Sequence, residues 1–321
     1  MPLPACLQDR LSIPVVGAPM FIVSNPDLVI AQCLAGVVGS MPALNARPAN
    51  LLDEWLTRID SALAQAKAQN PKAKIAPYAI NQIIHPSNER LRQDMETCAK
   101  HKVEIVITSL SAPNLIVPHV HAWGGVVFHD VISVRHAKKA IDAGVDGLIL
   151  VCAGAGGHAG ALSPFALVEE VRKLWDGPLL LSGAIATGRG VLAARAIGAD
   201  LAYVGTRFIA TKEANASAGY KQMIVESNAA DVVYSSCFTG VKGNYLKGSI
   251  VAAGMDPDAL PERDKTAMNF GAAMAESKAK AWKDIWGAGQ GVGAIDDAPG
   301  AGEVVARMIR EYDQAKATLA A

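Results

Sequence analysis

Short apolar runs, many of them β-branched, recur along the chain with amphipathic stretches between them. Eight such runs, at residues 13–18, 37–40, 75–81, 103–108, 125–128, 147–151, 179–182 and 201–204, are largely continuous rather than alternating. A strand with one wet face alternates apolar and polar residues, whereas a continuous run predicts a strand covered on both faces, as in parallel sheets. The stretches 25–35, 49–70, 86–101, 134–143, 163–174 and 188–197 carry helical spacing. Alternating strands and helices predict an α/β domain with a parallel sheet. Eight units fit a closed (β/α)8 barrel better than an open sheet.

Barrel chemistry sits on the loops that follow the strands. The polar and glycine residues at those ends are Pro19-Met20, Asn81-Gln82, Thr108-Ser109, His129-Asp130, residues 154–158, residues 183–188 and Gly205-Thr206, and the topology sends them all to one mouth. After the eighth strand the repeat stops. Residues 211–281 are rich in Ala, Met and Lys with helical spacing, broken by a Gly/Asn stretch at 238–254 and a turn at Asp256-Pro257. They predict a small, mainly helical insertion over the mouth, with the barrel occupying 1–210 and 282–321 and a last helix at 302–317. The GAGQGVG stretch at 287–293 joins the two parts, either folded back over the site or as a flexible linker.

Two segments carry the candidate chemistry. In LILVCAGAGGHAG, residues 148–160, an apolar run leads into glycines that surround His158. Glycine lets a backbone approach a flat ligand, and imidazole moves its proton near neutral pH, so this reads as a catalytic loop with His158 as the catalytic residue. In residues 179–211, Ser182-Gly183 ends the seventh strand, Gly188 opens a helix, and Gly205-Thr206 precedes another. Helix N-termini offer unpaired N–H groups, and the loops after strands seven and eight of barrels commonly hold phosphate. Thr206 adds a hydroxyl. There is no GxxxxGK[ST] element and no GxGxxG after the first strand, so neither a triphosphatase P-loop nor a separate dinucleotide fingerprint is supported.

Composition narrows the class. With 321 residues, 51% hydrophobic and no formal net charge, the chain can bury a large core and has no global attraction for nucleic acid or an anionic membrane. The five cysteines show no CxxC pair, no secretory leader pattern opens the chain, and the apolar runs are too short to span a bilayer. These features read as a cytoplasmic enzyme, and the large apolar fraction leaves a homodimer open. His119 and His121 lack a third ligand, so a surface loop is the preferred reading and no metal is expected. Asp130 reads as a helix N-cap rather than a mouth residue, with His129 beside it. Thr108 and Ser109 read equally as site residues or helix caps, and Lys242 and Tyr245 as a solvated loop.

APM at 18–20, Asn81 at a strand end, AGGHAG at 155–160, SGAIATGRG at 182–190 and VGTRFIAT at 204–211 together resemble the nitronate monooxygenases, formerly 2-nitropropane dioxygenases. These are FMN-dependent TIM barrels, in a wider set with NAD(P)H:quinone reductases and enoyl-acyl-carrier-protein reductases. The likeness runs from the first strand to about residue 211, with GAGQGVG as a further match. It implies FMN in the mouth, its phosphate held around Ser182, Gly183, Gly205 and Thr206. Met20 would lie beside the ring and Asn81 would contact it. Gly154 and Gly157 would let the loop pass near the flavin, with His158 facing flavin and substrate. Ser109 and Gln290 are substrate-side candidates. Relatives often carry Gln-Gly-x-Glu before AGGH, whereas Val151-Cys152-Ala153-Gly154 stands here, which removes a polar flavin contact.

The implied reaction oxidises an alkyl nitronate with O2 to a carbonyl compound and nitrite. His158 would either take a proton from a neutral nitroalkane or, protonated, steady the nitronate charge. The alternative is NAD(P)H-dependent reduction of a quinone or enoyl thioester. A third reading, a non-redox barrel with a phosphate ligand, would lack flavin absorbance.

Overall fold

The computed structural model describes residues 3–263 and 284–320. Its main sheet has eight parallel strands: β1 (Val15–Gly17), β2 (Gly39–Pro42), β3 (Tyr78–Ile84), β4 (Ile105–Leu110), β5 (Val126–Val131), β6 (Gly147–Val151), β8 (Leu179–Ser182) and β9 (Leu201–Val204). They run in the order β1-β9-β8-β6-β5-β4-β3-β2. A parallel bridge between Val16 and Val38, with the Gly17 N–H donating to Val38 O at 2.8 Å, brings β1 against β2 and closes the ring. The fold is the expected TIM barrel.

Side chains alternate across each strand, so a closed sheet has two apolar layers. Outward residues such as Val15, Val106, Val127, Leu148 and Leu150 pack under the helices. Inward residues Val16, Val38, Ala79, Ile105, Ile107, Phe128, Ile149, Leu180 and Leu201 fill the barrel, with Leu7 of an N-terminal 3-10 turn among them. Burial on both faces is why the runs read as continuous.

The outer ring comprises α1 (Pro26–Leu34), α2 (Leu51–Gln69), α3 (Leu91–Lys100), α4 (Val117–Ala122), α5 (Val134–Asp142), α6 (Pro164–Arg172), α7 (Gly188–Ala196) and the one-turn α8 (Thr206–Ile209). Asn25, Ser133 and Thr187 cap α1, α5 and α7, each accepting from a backbone N–H of the first turn. The cap of α5 is Ser133, so the N-cap reading of Asp130 is corrected: Asp130 belongs to β5. His119 and His121 lie on α4 rather than in a loop, and His121 Nε2 lies 2.8 Å from Asp146 Oδ2. Of the cysteines, Cys33, Cys98, Cys152 and Cys237 are buried, Cys6 is partly so, and none is paired.

The segment after β9 holds α9 (Ala218–Glu226) and α10 (Lys247–Ala252), as its helical spacing predicts. Between them lie two strands that the spacing does not predict, β10 (Val232–Ser235) and β11 (Gly243–Leu246). These pair antiparallel, and β11 pairs in turn with β7 (Gly157–His158) from the glycine loop. Residues 264–281 of the predicted insertion lie outside the described residues.

The last helix, α11 (Ala301–Ala320), packs along α7. Gly188 N–H donates to a Glu311 carboxylate oxygen at 2.7 Å, so the α7 N-terminus is satisfied from α11 and does not serve the mouth. A Cβ at Gly188 would stand 1.9 Å from Met308 O and 2.6 Å from Tyr312 N. Gly188→Ala should therefore push α11 outward and cost about 1–3 kcal/mol. A lowered urea midpoint checks this, and an unchanged midpoint would show that α11 accommodates the methyl group.

Candidate functional site

Seven of the eight barrel strands alternate once more beyond the apolar plug, and the next inward residue faces open space. Ala18, Asn81, Ser109, Asp130, Val151, Ser182 and Tyr203 all line a cavity of about 1140 Å³ at the mouth. That exceeds the 300–1,000 Å³ typical of small-molecule sites. Gly205 and Thr206 complete the β9 side, where Met20 Sδ would lie 3.8 Å from a Cβ on Gly205.

Three of the floor residues form a chain. Asn81 Nδ2 lies 2.8 Å from Ser109 Oγ, and Ser109 Oγ lies 2.6 Å from Asp130 Oδ2. Burial raises the Asp130 carboxyl to about 6, opposed by its hydrogen bond with Ser109. Burial, then the nearby Asp130 carboxyl, pushes Tyr203 well above the ordinary phenol value, so it stays neutral.

The glycine loop crosses over this floor. Gly154 and Gly157 have φ of +83° and +64°, which favour glycine, and a Cβ on Gly157 would meet nothing within 4 Å. His158 is fixed by β-pairing with Gly243. Its Nε2 lies 2.8 Å from Thr239 Oγ1, whose hydroxyl donates to Val241 O at 3.0 Å. That network assigns Nε2 as the protonated nitrogen. Burial pushes His158 down to about 4, leaving the ring neutral at pH 7. Asn244 Nδ2 holds the loop from behind, donating to Ala155 O at 2.7 Å.

The 287–293 stretch folds back rather than hanging as a linker. Gly289 N–H donates to Thr206 Oγ1 and Gln290 N–H to Gly154 O, both at 2.9 Å. A Cβ on Gly289 would stand 2.6 Å from Gly154 O, and one on Gly291 3.0 Å from Ala184 C, so only bare backbone fits. The Gln290 side chain is exposed and lies over Gly154, outside the residues that line the cavity. Tyr220 and Trp286 stack at 4.9 Å in the cavity wall, with the Tyr220 hydroxyl donating to Gly287 O.

Comparison with known proteins gives this geometry its setting. The sequence profile of the nitronate monooxygenases, described as "Nitronate monooxygenase", matches residues 7–311. The chain belongs to the nitronate monooxygenase family. A nitronate monooxygenase of Paraburkholderia phytofirmans is 26% identical over 94% of this chain and 92% of its own length. One from Neurospora crassa is 27% identical over 92% and 88%. A hydroxy-methyl-oxo-octahydroindene-carboxyl-CoA dehydrogenase of Rhodococcus jostii is 26% identical over 74% of this chain and 64% of its own. The same fold is seen in a nitroalkane oxidase from Streptomyces ansochromogenes, with a TM-score of 0.78 and 21% identity over 98% of this chain and 100% of that one. FabK from Thermotoga maritima gives 0.71 and 21% over 96% and 95%. Membership makes this chain a flavin-dependent oxidoreductase of a family acting on small molecules with O2. Among the described residues no helix is long and apolar enough to cross a membrane.

Met20, Asn81, Ser109, Gly154, Gly157, His158, Ser182, Gly183, Gly205 and Thr206 thus gather at one cavity. His129 does not join them: it points outward from β5, buried, its Nδ1 2.8 Å from Thr108 Oγ1. Tyr245 belongs to β11 and is buried rather than in a solvated loop, while exposed Lys242 pairs with Glu262 at 3.5 Å. Sequence reasoning missed Tyr203, Thr239 and the Tyr220–Trp286 wall, and it undervalued Asp130. It also missed Ile22, which lines the cavity at φ +66°, a β-branched residue held there by Asn45 Oδ1 on its N–H and Asn215 Nδ2 on its carbonyl.

His158 and His129 are both pushed to about 4 by burial. Below an unfolded value near 6.5 the unfolded chain binds protons that these rings refuse, so each removes up to about 1.4 kcal/mol per pH unit as pH falls from 6.5 towards 4. Asp130, raised to about 6, opposes them, since its folded form keeps a proton that the unfolded form releases. His158→Gln should shallow the acid loss of stability, read from urea unfolding between pH 4.5 and 7. An unchanged slope would show that His158 takes up its proton without unfolding.

Proposed function

We propose that this protein is an FMN-dependent nitronate monooxygenase, oxidising alkyl nitronates with O2 to carbonyl compounds and nitrite. The observation that carries the reading is the placement of neutral His158 over a cavity walled by bare backbone at Gly183 and Gly205 and by Thr206. These residues fit the cofactor. Thr206 and Arg207 open α8, so their N–H groups have no intrahelical partner and suit a phosphate. The Thr206 hydroxyl oxygen accepts from Gly289, which leaves its proton for the ligand. Met20 and Asn81 would meet the ring, and the cavity has room for flavin and substrate together. Bound FMN would supply the electron-accepting chemistry, while the protein supplies orientation and the local field.

A neutral imidazole is suited to take a proton from a nitroalkane. It can also gain one beside an arriving nitronate, whose charge favours the cation. We read residues 211–281 as the cap of this site and residues 1–210 with 282–321 as the barrel, since β11 holds β7 in place over the floor. NAD(P)H-dependent reduction of a quinone or enoyl thioester is the second reading. It draws on the stacked Tyr220–Trp286 wall, suited to a flat partner.

The test mixes the purified protein without oxygen, separately with propionate 3-nitronate or alkyl nitronates and with NADH or NADPH, and follows flavin absorbance. Reduction by nitronate, with nitrite released once oxygen is admitted, is the expected result. Bleaching by a nicotinamide with no response to nitronate would move the chain to the reductases. His158→Asn should keep FMN while turnover falls about 10²- to 10⁴-fold. Unchanged turnover would remove His158 from the chemistry.

A further inference from the structure

The floor of the cavity carries one carboxyl, Asp130, and its surroundings are unusual for an ionised group. Asp130 Oδ1 is buried and has no hydrogen-bond partner among the described residues. Burial and the Ser109 hydrogen bond are what act on the carboxyl, with no cation among its influences. A carboxylate spreads its charge over both oxygens and offers about four acceptor sites, of which one would be met here. A neutral acid needs a partner for its single O–H and leaves a weak carbonyl acceptor at Oδ1, a far smaller cost.

The contact between Asp130 and Ser109 can run in either direction. With Asp130 ionised, Ser109 donates its only proton to Oδ2 at 2.6 Å, and nothing remains to offer the cavity. With Asp130 neutral, Oδ2–H donates to Ser109 Oγ. That oxygen also accepts from Asn81 Nδ2 at 2.8 Å, so both lone pairs are filled and the Ser109 proton is left for the cavity that all three residues line.

We propose that Asp130 is a positioning residue whose proton turns the Ser109 hydroxyl towards the bound flavin as a hydrogen-bond donor. The inference rests on the flavin reading above. Loss of the proton reverses the chain and turns a donor into a lone pair facing an acceptor on the ring. Burial, which raises Asp130 to about 6, puts that reversal between pH 5 and 8. Among the described residues the other titratable or charged groups lining the cavity are Tyr203 from β9, His158 from β7, His136 from α5, Tyr220 from α9, whose phenol burial raises, and Arg263 and Asp284. Tyr203 stays neutral throughout, and His158 does so above about 4.

The experiment measures FMN affinity by flavin fluorescence from pH 5 to 8 in wild type, Asp130→Asn and Ser109→Ala. The FMN phosphate itself titrates near 6, so the reading is the difference between variants. Asn at 130 keeps an N–H donor to Ser109 at every pH. Asp130→Asn should match wild type at pH 5 and bind about 3- to 30-fold more tightly at pH 8, while Ser109→Ala should be weak at both ends. His136→Gln and Asp284→Asn should leave the wild-type profile in place. Parallel profiles for wild type and Asp130→Asn would overturn the proposal, as would a profile abolished by His136→Gln. If wild type binds no FMN at any pH, the flavin reading falls and this proposal with it. Binding with parallel profiles removes this proposal alone.

Discussion

A sheet of eight parallel strands closed on itself encloses a space that side chains must fill, and that constraint orders the rest of this structure. From Val16 and Ala79 through Ile107, Phe128, Ile149, Leu180 and Leu201, every inward position of the middle layer is apolar because no water reaches it. One alternation later the ring meets the cavity, and the same strands present Asn81, Ser109, Asp130, Ser182 and Tyr203. The polar floor is thus set two residues beyond the plug on β3, β4, β5, β8 and β9. A one-residue slip in β8, for example, would put Ser182 under the helices and apolar Leu181 in the floor.

Backbone contact binds the mouth together. The glycine loop at 154–157, the β8 turn at 183–184 and the returning stretch at 287–291 touch main chain to main chain, with Gly154 O accepting from both Ala184 and Gln290. A single carbonyl is shared between two segments more than a hundred residues apart, and side chains at Gly289 or Gly291 would part them. The same contacts hold Thr206 Oγ1 on Gly289 N–H and keep the loop that carries His158 at a fixed height above the floor. Close approach of bare backbone orders the site without a charged anchor, which suits a pocket that must take a flat ring.

How far the site was legible follows from how local its causes are. The strands could be read because burial on both faces writes itself into consecutive residues such as Leu148, Ile149 and Leu150. The end-of-strand residues Asn81 and Ser109, and the glycines around His158, followed from that reading. Asp130 was misread because an acid near a strand-to-helix junction resembles a cap, and only register shows that Ser133 does the capping. β10 and β11 are four residues each, and β11 takes its second partner, β7, from the loop around His158 far upstream, so no local pattern announces them. Thr239 reaches His158 across 81 positions, a contact that spacing along the chain cannot express.

Two titrating groups of the mouth, His158 and Asp130, are pushed in opposite directions by one cause. Burial disfavours charge, lowering His158 to about 4 and raising Asp130 to about 6, so between those values both are neutral. With both neutral, the floor and the glycine loop favour an uncharged ring over a charged one. An anion arriving beside His158 would draw a proton onto the imidazole, since an opposite charge nearby stabilises the cation that burial disfavours. On this argument the two roles considered for His158 are one group in two protonation states. Under the proposed function, a neutral nitroalkane would meet a base, and a nitronate would meet a group it had itself charged.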